Sequence, residues 1–180
     1  KTIHYNAEGV TEFKSLLFIP TQAPHDLFMR EGQKGIHLYV RNVFITDDCK
    51  DLLPPYMRFL RGVVDSSDLP LNVSREMLQD DAIIRRMRKS LTTKVLSVLG
   101  DMKQKQDKEY REFFDTFGRV LKEGVHVDFE NKQKIADLLL FHTTRTEEKL
   151  LIDLKSYVER MPSEQKDIYY IAGDTLAGLK

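Results

Sequence analysis

Apolar side chains come in short alternating runs in the first third of the chain and at helical spacing in the middle. From Phe13 to Ile19, Phe13, Ser15, Leu17 and Ile19 share one face and Leu16 and Phe18 the other. Both faces are largely apolar, which predicts a central strand ended by Pro20. Residues 21–28 read as irregular, and Arg30 to Gly35 as an exposed, glycine-bearing turn. Ile36 to Thr46 predicts a second strand, or two broken by a bend, ending at Asp47-Asp48. The short connection suggests that 16–19 and 36–46 pair. Asp51 to Arg61 reads as a short helix, with Pro54 and Pro55 near its start, where proline is tolerated.

Helical periodicity takes over after that. Ile83, Met87, Leu91, Val95, Val98 and Met102 form an apolar stripe over a predicted helix from about Asp81 to Gln104. Asp80 or Asp81 is its expected cap, and its other face carries Arg85, Arg86, Arg88, Lys89 and Lys94. A second helix is predicted over Lys108 to Lys122, with Tyr110, Phe113, Phe114, Phe117, Val120 and Leu121 inward and Gly124 as its stop. A third runs over Asn131 to Leu140, with Ile135, Leu138 and Leu139 inward. A polar loop at Thr143 to Lys149, a short helix at Asp153 to Met161 and a buried strand at Ile168 to Ala172 follow. Gly173-Asp174 is expected to open a last helix.

These elements predict an α/β (α+β) fold: a layered αβα sandwich over 1–104, a helical spacer over 105–140, and the start of a second small α/β unit over 141–180. Lys1 is not methionine and the last predicted helix is cut at Lys180, so the chain reads as an excised piece of a longer protein.

Composition narrows the function classes. Lys and Arg (28) balance Asp and Glu (28), which weakens a nucleic-acid reading, and the basic face of the long helix is diluted by Asp80, Asp81 and Asp101. Cys49 is the single cysteine, so no internal disulfide can form and a reducing cytoplasm fits. No apolar run approaches the roughly 20 residues of a membrane span. His4, His25, His37, His126 and His142 share no short metal-ligand spacing. There is no Gly-x-Ser-x-Gly elbow and no Walker-type phosphate loop.

The stretch with most chemical content is Gly62 to Gln79. Asp65-Ser66-Ser67-Asp68 is polar and turn-forming, and Pro70 holds Leu69 extended. Leu71 to Val73 reads as extended. Asn72 and Ser74 are credible N-caps for a helical turn over Arg75-Glu76-Met77-Leu78-Gln79. On that turn Arg75 and Gln79 share a face at i, i+4. Spacing alone makes Arg75 a solvated arginine paired with Glu76, Asp65 or Asp68, and Gln79 a helix-surface amide.

This stretch resembles the signature loop of the heat shock protein 90 family of ATP-dependent chaperones. Val40–Asp47, Tyr56–Gly62, Val120–Val125, Ile135–Leu140 and Tyr157–Ala172 extend the resemblance over almost the whole chain, to that family's middle segment. Ser67 looks more like the bacterial form. The resemblance implies that Arg75 reaches the γ-phosphate of ATP, held with Mg in an N-terminal ATPase domain outside this chain, and that Gln79 acts beside it. Phe44 would support the loop from the second strand, although ordinary core packing is its simpler reading. Further implied partners are client proteins, possible co-chaperones, and a second copy of the parent joined through a C-terminal dimerising domain. Nucleic acid and membrane are not among them. The implied setting is the cytoplasmic stress response. The fragment alone is not expected to hydrolyse ATP. Two positions depart from the family pattern: Asn42, where many relatives carry arginine, and His25, where many carry an aromatic residue. A scaffold that binds clients or co-chaperones without taking part in catalysis is the alternative.

Overall fold

The computed structural model describes residues 1–25, 27–29, 35–71, 82–146, 150–173 and 177–179. Five strands form one sheet: β1 (Thr2–Ala7), β2 (Phe13–Phe18), β3 (Ile36–Val40), β4 (Val43–Cys49) and β5 (Arg61–Ser66). Their order is β1-β2-β5-β3-β4. All neighbours are antiparallel except β3 and β5, which run parallel.

This topology corrects several expectations. The strands at 16–19 and 36–46 do not pair, because β5 lies between them. β5 itself occupies residues read as the end of a helix and the start of a loop. Its apolar core is only Val63 and Val64, flanked by Gly62 and by Arg61 and Asp65, too short a run to announce a strand. β1 was likewise not foreseen. The segment 36–46 is two strands of a tight hairpin, and the second continues through Asp47-Asp48 to Cys49. Arg41 (φ 50) and Asn42 (φ 65) form its two-residue loop, with Val40 opposite Val43. A two-residue hairpin loop with both residues left-handed matches strand twist, and asparagine tolerates that conformation better than most residues. β2 has a neighbour on each side, but only one of its faces is buried: Phe13, Ser15 and Leu17 are inside while Lys14 and Phe18 are exposed.

The residues after β4 do not make one helix. They form two 3-10 turns, Lys50–Leu52 and Pro55–Met57. Pro54 and Pro55 lack the backbone donors that a continuous helix over 51–61 would use. Cys49 is buried just before them. Burial, then the nearby Asp51 carboxylate, pushes its thiol up to about 11, so it is an inert core thiol at neutral pH.

Among the described residues, three helices belong to the first compact unit, Lys1–Leu139. They are α1 (Ala82–Lys105), α2 (Asp107–Val127) and α3 (Lys132–Leu138). The α1 stripe that is buried reads Ile84, Met87, Leu91, Val95, Leu99 and Met102; Ile83 and Val98 lie at its margin. α1 packs on β1 and on the Lys50–Leu52 turn, and α2 packs on the Pro55–Met57 turn and on α3. Phe59 meets Phe117 with tilted rings at 5.1 Å and Phe113 edge-on at 5.4 Å between ring centroids. Gly124 does not stop α2, which continues to Val127. A Cβ there would lie 2.9 Å from the Tyr56 ring and 3.0 Å from Ile135 Cδ1. Glycine at 124 is therefore a packing requirement rather than a cap.

The second unit is Leu140–Lys180. Phe141 and Ile152 exchange two backbone hydrogen bonds of 2.7 and 2.9 Å. α4 (Leu154–Glu159) is capped by Asp153, whose carboxylate accepts from Ser156 N at 2.8 Å. Ile168 to Ala172, expected as a buried strand, is exposed and irregular, with Tyr170 90% accessible. No described strand pairs with it. The expected opening of a last helix at Gly173-Asp174 falls partly on residues 174–176, outside the described residues.

Candidate functional site

The signature stretch begins inside the sheet. Gly62 in β5 has φ +145, and a Cβ there would collide with the Leu16 carbonyl oxygen of β2. Glycine is needed for that close approach of two backbones. Val64 then fills the core, completely buried, and Ser66 ends the strand, also buried.

The chain is held on both sides where β5 ends. Ser66 Oγ accepts from the backbone N–H groups of Asp68 and Leu69, both at 3.3 Å, a serine turn that reverses the chain. On the β2 side, Glu12 N donates to Asp68 Oδ2 at 2.7 Å, and Ser67 Oγ donates to the Glu12 carbonyl at 3.3 Å. On the β3–β4 side, Arg41 N donates to Ser66 O and Arg41 Nε to Ser67 O, each at 3.1 Å. Asn42 N donates to Asp65 Oδ1 at 3.2 Å. Leu69 is completely buried. The exit from the centre of the sheet is thus tied to two neighbouring turns and pinned by one core side chain. Asp65 and Asp68, read from sequence as possible partners of Arg75, are used in this bracing.

Arg75 and Gln79 lie outside the described residues, as do Asn72, Ser74, Asp80 and Asp81. The chain is described to Leu71 and again from Ala82. Phe44 is described, and it is not a core residue. It is 53% exposed, on the face of the sheet away from the core, edge-on to Tyr39 at 5.6 Å and to His37 at 6.5 Å. Tyr39 is the register partner of both Phe44 and Asp65. Phe44 therefore stands on the outer face with Tyr39 of β3 between it and the braced end of β5. Leu16, Phe18, Val63 and His37 continue the same face across the sheet: Leu16 and His37 each pair with Val63, and Phe18 pairs with Arg61. Phe18, Val63 and Phe44 are its most exposed apolar members.

The bracing residues Glu12, Arg41 and Ser66 were not singled out from sequence. Only the serine and aspartates at 65–68 hinted at a turn; Glu12 and Arg41 reach it by tertiary contact. His25 is exposed, next to the buried Leu27 and to the exposed Phe28 and Met29. The Arg119 guanidinium lies 5.4 Å from the Phe28 ring. Behind the sheet, Tyr56 OH donates to Asp128 Oδ2 at 2.6 Å, and Asn131 donates to the same carboxylate at 2.9 to 3.1 Å. Burial acts to raise the Asp128 pKa, but the hydrogen bonds from Tyr56 and Asn131 and the charge of Arg88 outweigh it and hold the carboxyl below its usual range. Burial, then the Asp128 hydrogen bond and charge, pushes the Tyr56 phenol well above its usual range.

Among the described residues no group of three His, Cys, Asp or Glu could hold a metal ion, and no helix is long and apolar enough to cross a membrane. The geometry is that of an α/β module whose central strand ends in a braced turn. The family model described as Hsp90 protein matches residues 1–180, and the chain belongs to that family. It is 57% identical over all 180 residues to the chaperone protein HtpG of Geobacter metallireducens, and also 57% to that of Geobacter sulfurreducens. It is 51% identical over 177 residues to the HtpG of Bdellovibrio bacteriovorus. The chain spans 28% of the length of each of these relatives. Among solved structures it resembles the middle domain of a heat shock protein of Plasmodium falciparum, with a TM-score of 0.83 and 34% identity, covering 97% of this chain and 67% of that one.

Proposed function

We propose that this chain is the middle domain of an ATP-dependent chaperone, which docks on a separate N-terminal ATPase domain and presents Arg75 to the γ-phosphate of ATP. The observation that carries this reading is the bracing of the β5 exit. A loop that must deliver a cation to a phosphate on another domain needs a fixed root, and hydrogen bonds from Glu12, Arg41 and Asn42 supply one. Arginine suits the task because its planar fork of donors matches phosphate oxygens and stays charged. A cation brought in from a second domain stabilises charge in phosphoryl transfer without being part of the nucleotide pocket. Gln79 acts beside Arg75 as an orienting amide. Phe44, exposed on the same face one strand beyond Tyr39, is available to pack against the loop or the docked domain. ATP and Mg belong to the ATPase domain.

Contact between Arg75 and the γ-phosphate in the closed arrangement more than in the open one would let nucleotide shift the population between them. Client proteins are the second class of partner. The exposed Phe28 and Met29 favour an apolar contact there, with His25 supplying a weaker one than an aromatic ring would. The parent would act as a homodimer in the cytoplasm, with co-chaperones as further partners.

The test is ATP turnover and nucleotide affinity of the full-length protein, wild type against Arg75→Ala. Turnover should fall roughly tenfold or more while affinity changes less. Unchanged turnover with weakened client binding would reduce the domain to a scaffold.

A further inference from the structure

Among the described residues, β1 is an edge of the sheet and pairs only with β2. Lys1 N donates to Ile19 O, and Ile19 N donates to Lys1 O, both at 2.8 Å. That makes Lys1 and Ile19 a hydrogen-bonded pair. Antiparallel pairing alternates, so Ile3, Tyr5 and Ala7 also turn their backbone groups toward β2. The N–H and C=O groups of Thr2, His4 and Asn6 then point outward, and among the described residues they have no partner. Natural edges are commonly blunted by lysine, proline or a bulge. Thr2–Ala7 contains none of these.

The edge runs beside a cationic groove. Tyr5 lies against α1, with its hydroxyl 2.8 Å from Ser90 Oγ and Lys94 Nζ 5.6 Å from its ring centroid. Arg86, Lys89, Ser90, Thr93, Lys94 and Ser97 line the groove with Tyr5. Among the described residues, two acids lie close. Glu130 pairs with Lys89 at 3.0 Å with both side chains largely exposed, and Asp101 is bound by Lys105 at 2.8 Å. Such exposed pairs are weak and exchange readily. The groove therefore keeps an excess of positive charge although the whole chain is neutral.

We propose that the β1 edge and this groove form a docking site for an extended acidic segment of a partner protein, which adds to β1 as a sixth strand. Main-chain hydrogen bonds to Thr2, His4 and Asn6 would hold it, and its alternate side chains would face α1. Carboxylates at those alternate positions meet Arg86, Lys89 and Lys94, which fixes register and partner choice. This site is independent of Arg75 and of nucleotide.

The test uses the 180-residue chain and a fluorescent peptide of about ten residues alternating glutamate and valine, read by anisotropy. The peptide should bind saturably, and binding should weaken as salt rises from about 50 to about 300 mM. Charge reversal, Lys89→Glu with Lys94→Glu, should weaken it at least about tenfold with the thermal transition of the chain retained. N-methylation of alternate peptide amides should weaken it at least about tenfold as well, since it removes the strand-forming donors. A lysine–valine peptide should not bind. The proposal is overturned by no binding at about 1 mM, by equal binding to the charge-reversed chain, or by equal binding of the N-methylated peptide. Tighter binding of a single-stranded oligonucleotide that displaces the peptide would overturn it too.

Discussion

β5 and the segment Ile168 to Ala172 are both short and both carry β-branched or aromatic residues, but their surroundings are opposite. β5 has β2 on one side and β3 on the other, so both its edges are satisfied, and Val64 is completely buried. Among the described residues no strand lies beside Ile168, Tyr169, Tyr170 and Ile171, and all four are exposed. The weaker run of apolar residues is the central strand, and the stronger one is bare. A strand is a property of an edge that needs a partner, and the number of apolar residues in a segment only makes it eligible. The same contrast holds for single side chains. Tyr56 is completely buried against Gly124 with its hydroxyl on Asp128, whereas Tyr170 is 90% exposed.

The sharpest way to break this comparison is Gly62→Ala. The new Cβ would meet the Leu16 carbonyl oxygen at a backbone conformation that alanine avoids. We expect a loss of at least about 2 kcal/mol in denaturant unfolding. A loss below about 0.5 kcal/mol would mean that β5 is not held as described.

A smaller effect is expected from Tyr56→Phe, which leaves the Asp128 carboxylate short of one donor, at a cost of about 1–3 kcal/mol at neutral pH. Its pH dependence carries the finer information. Asp128 is held below its usual range, so its contribution is complete above about pH 4 and is lost as pH falls through the lower folded value. Tyr56 is raised, so its contribution is complete below about pH 10 and is lost as pH rises beyond that. Urea unfolding across pH should show the alkaline slope in the wild type and its removal in Tyr56→Phe. Parallel profiles would separate the phenol from the pH dependence.

The smallest effect should come from Tyr170→Ser, within about 0.5 kcal/mol for this chain, because the side chain buries almost nothing. A loss as large as that from Gly62→Ala would show that the segment is packed after all and would dissolve the contrast.

The legible part of the fold was its periodic part. α1, α2 and α3 follow from spacing, because a helix satisfies its own backbone and shows its buried face as a regular stripe. Even there the exact stripe was set by neighbours: Ile84 and Leu99 are inside where Ile83 and Val98 had been expected. Gly124 read as a stop because glycine commonly ends helices, and only the Tyr56 ring lying against it reveals its packing role. At the candidate site, a polar turn was legible from its residue types, but Asp65 and Ser66 belong to β5 and only Ser67 and Asp68 lie beyond its end. The family resemblance, carried by Gly62 to Gln79, pointed to Arg75, Gln79 and Phe44. Glu12 and Arg41 were not legible, since nothing local marks a residue that will brace a strand end more than twenty positions away.

The sequence by itself determined the family, the α/β class and the helical stripes, and it singled out Gly62 to Gln79 as the candidate stretch. These depend on residue type and local spacing, which are written along the chain. Only the tertiary structure decided the strand order β1-β2-β5-β3-β4, the exposure of Phe44, the bracing at the end of β5 and the open edge at β1. Each of those depends on which distant segment lies alongside. Pairing between remote segments is selected by the packing of the whole core, and hydropathy along the chain does not encode it.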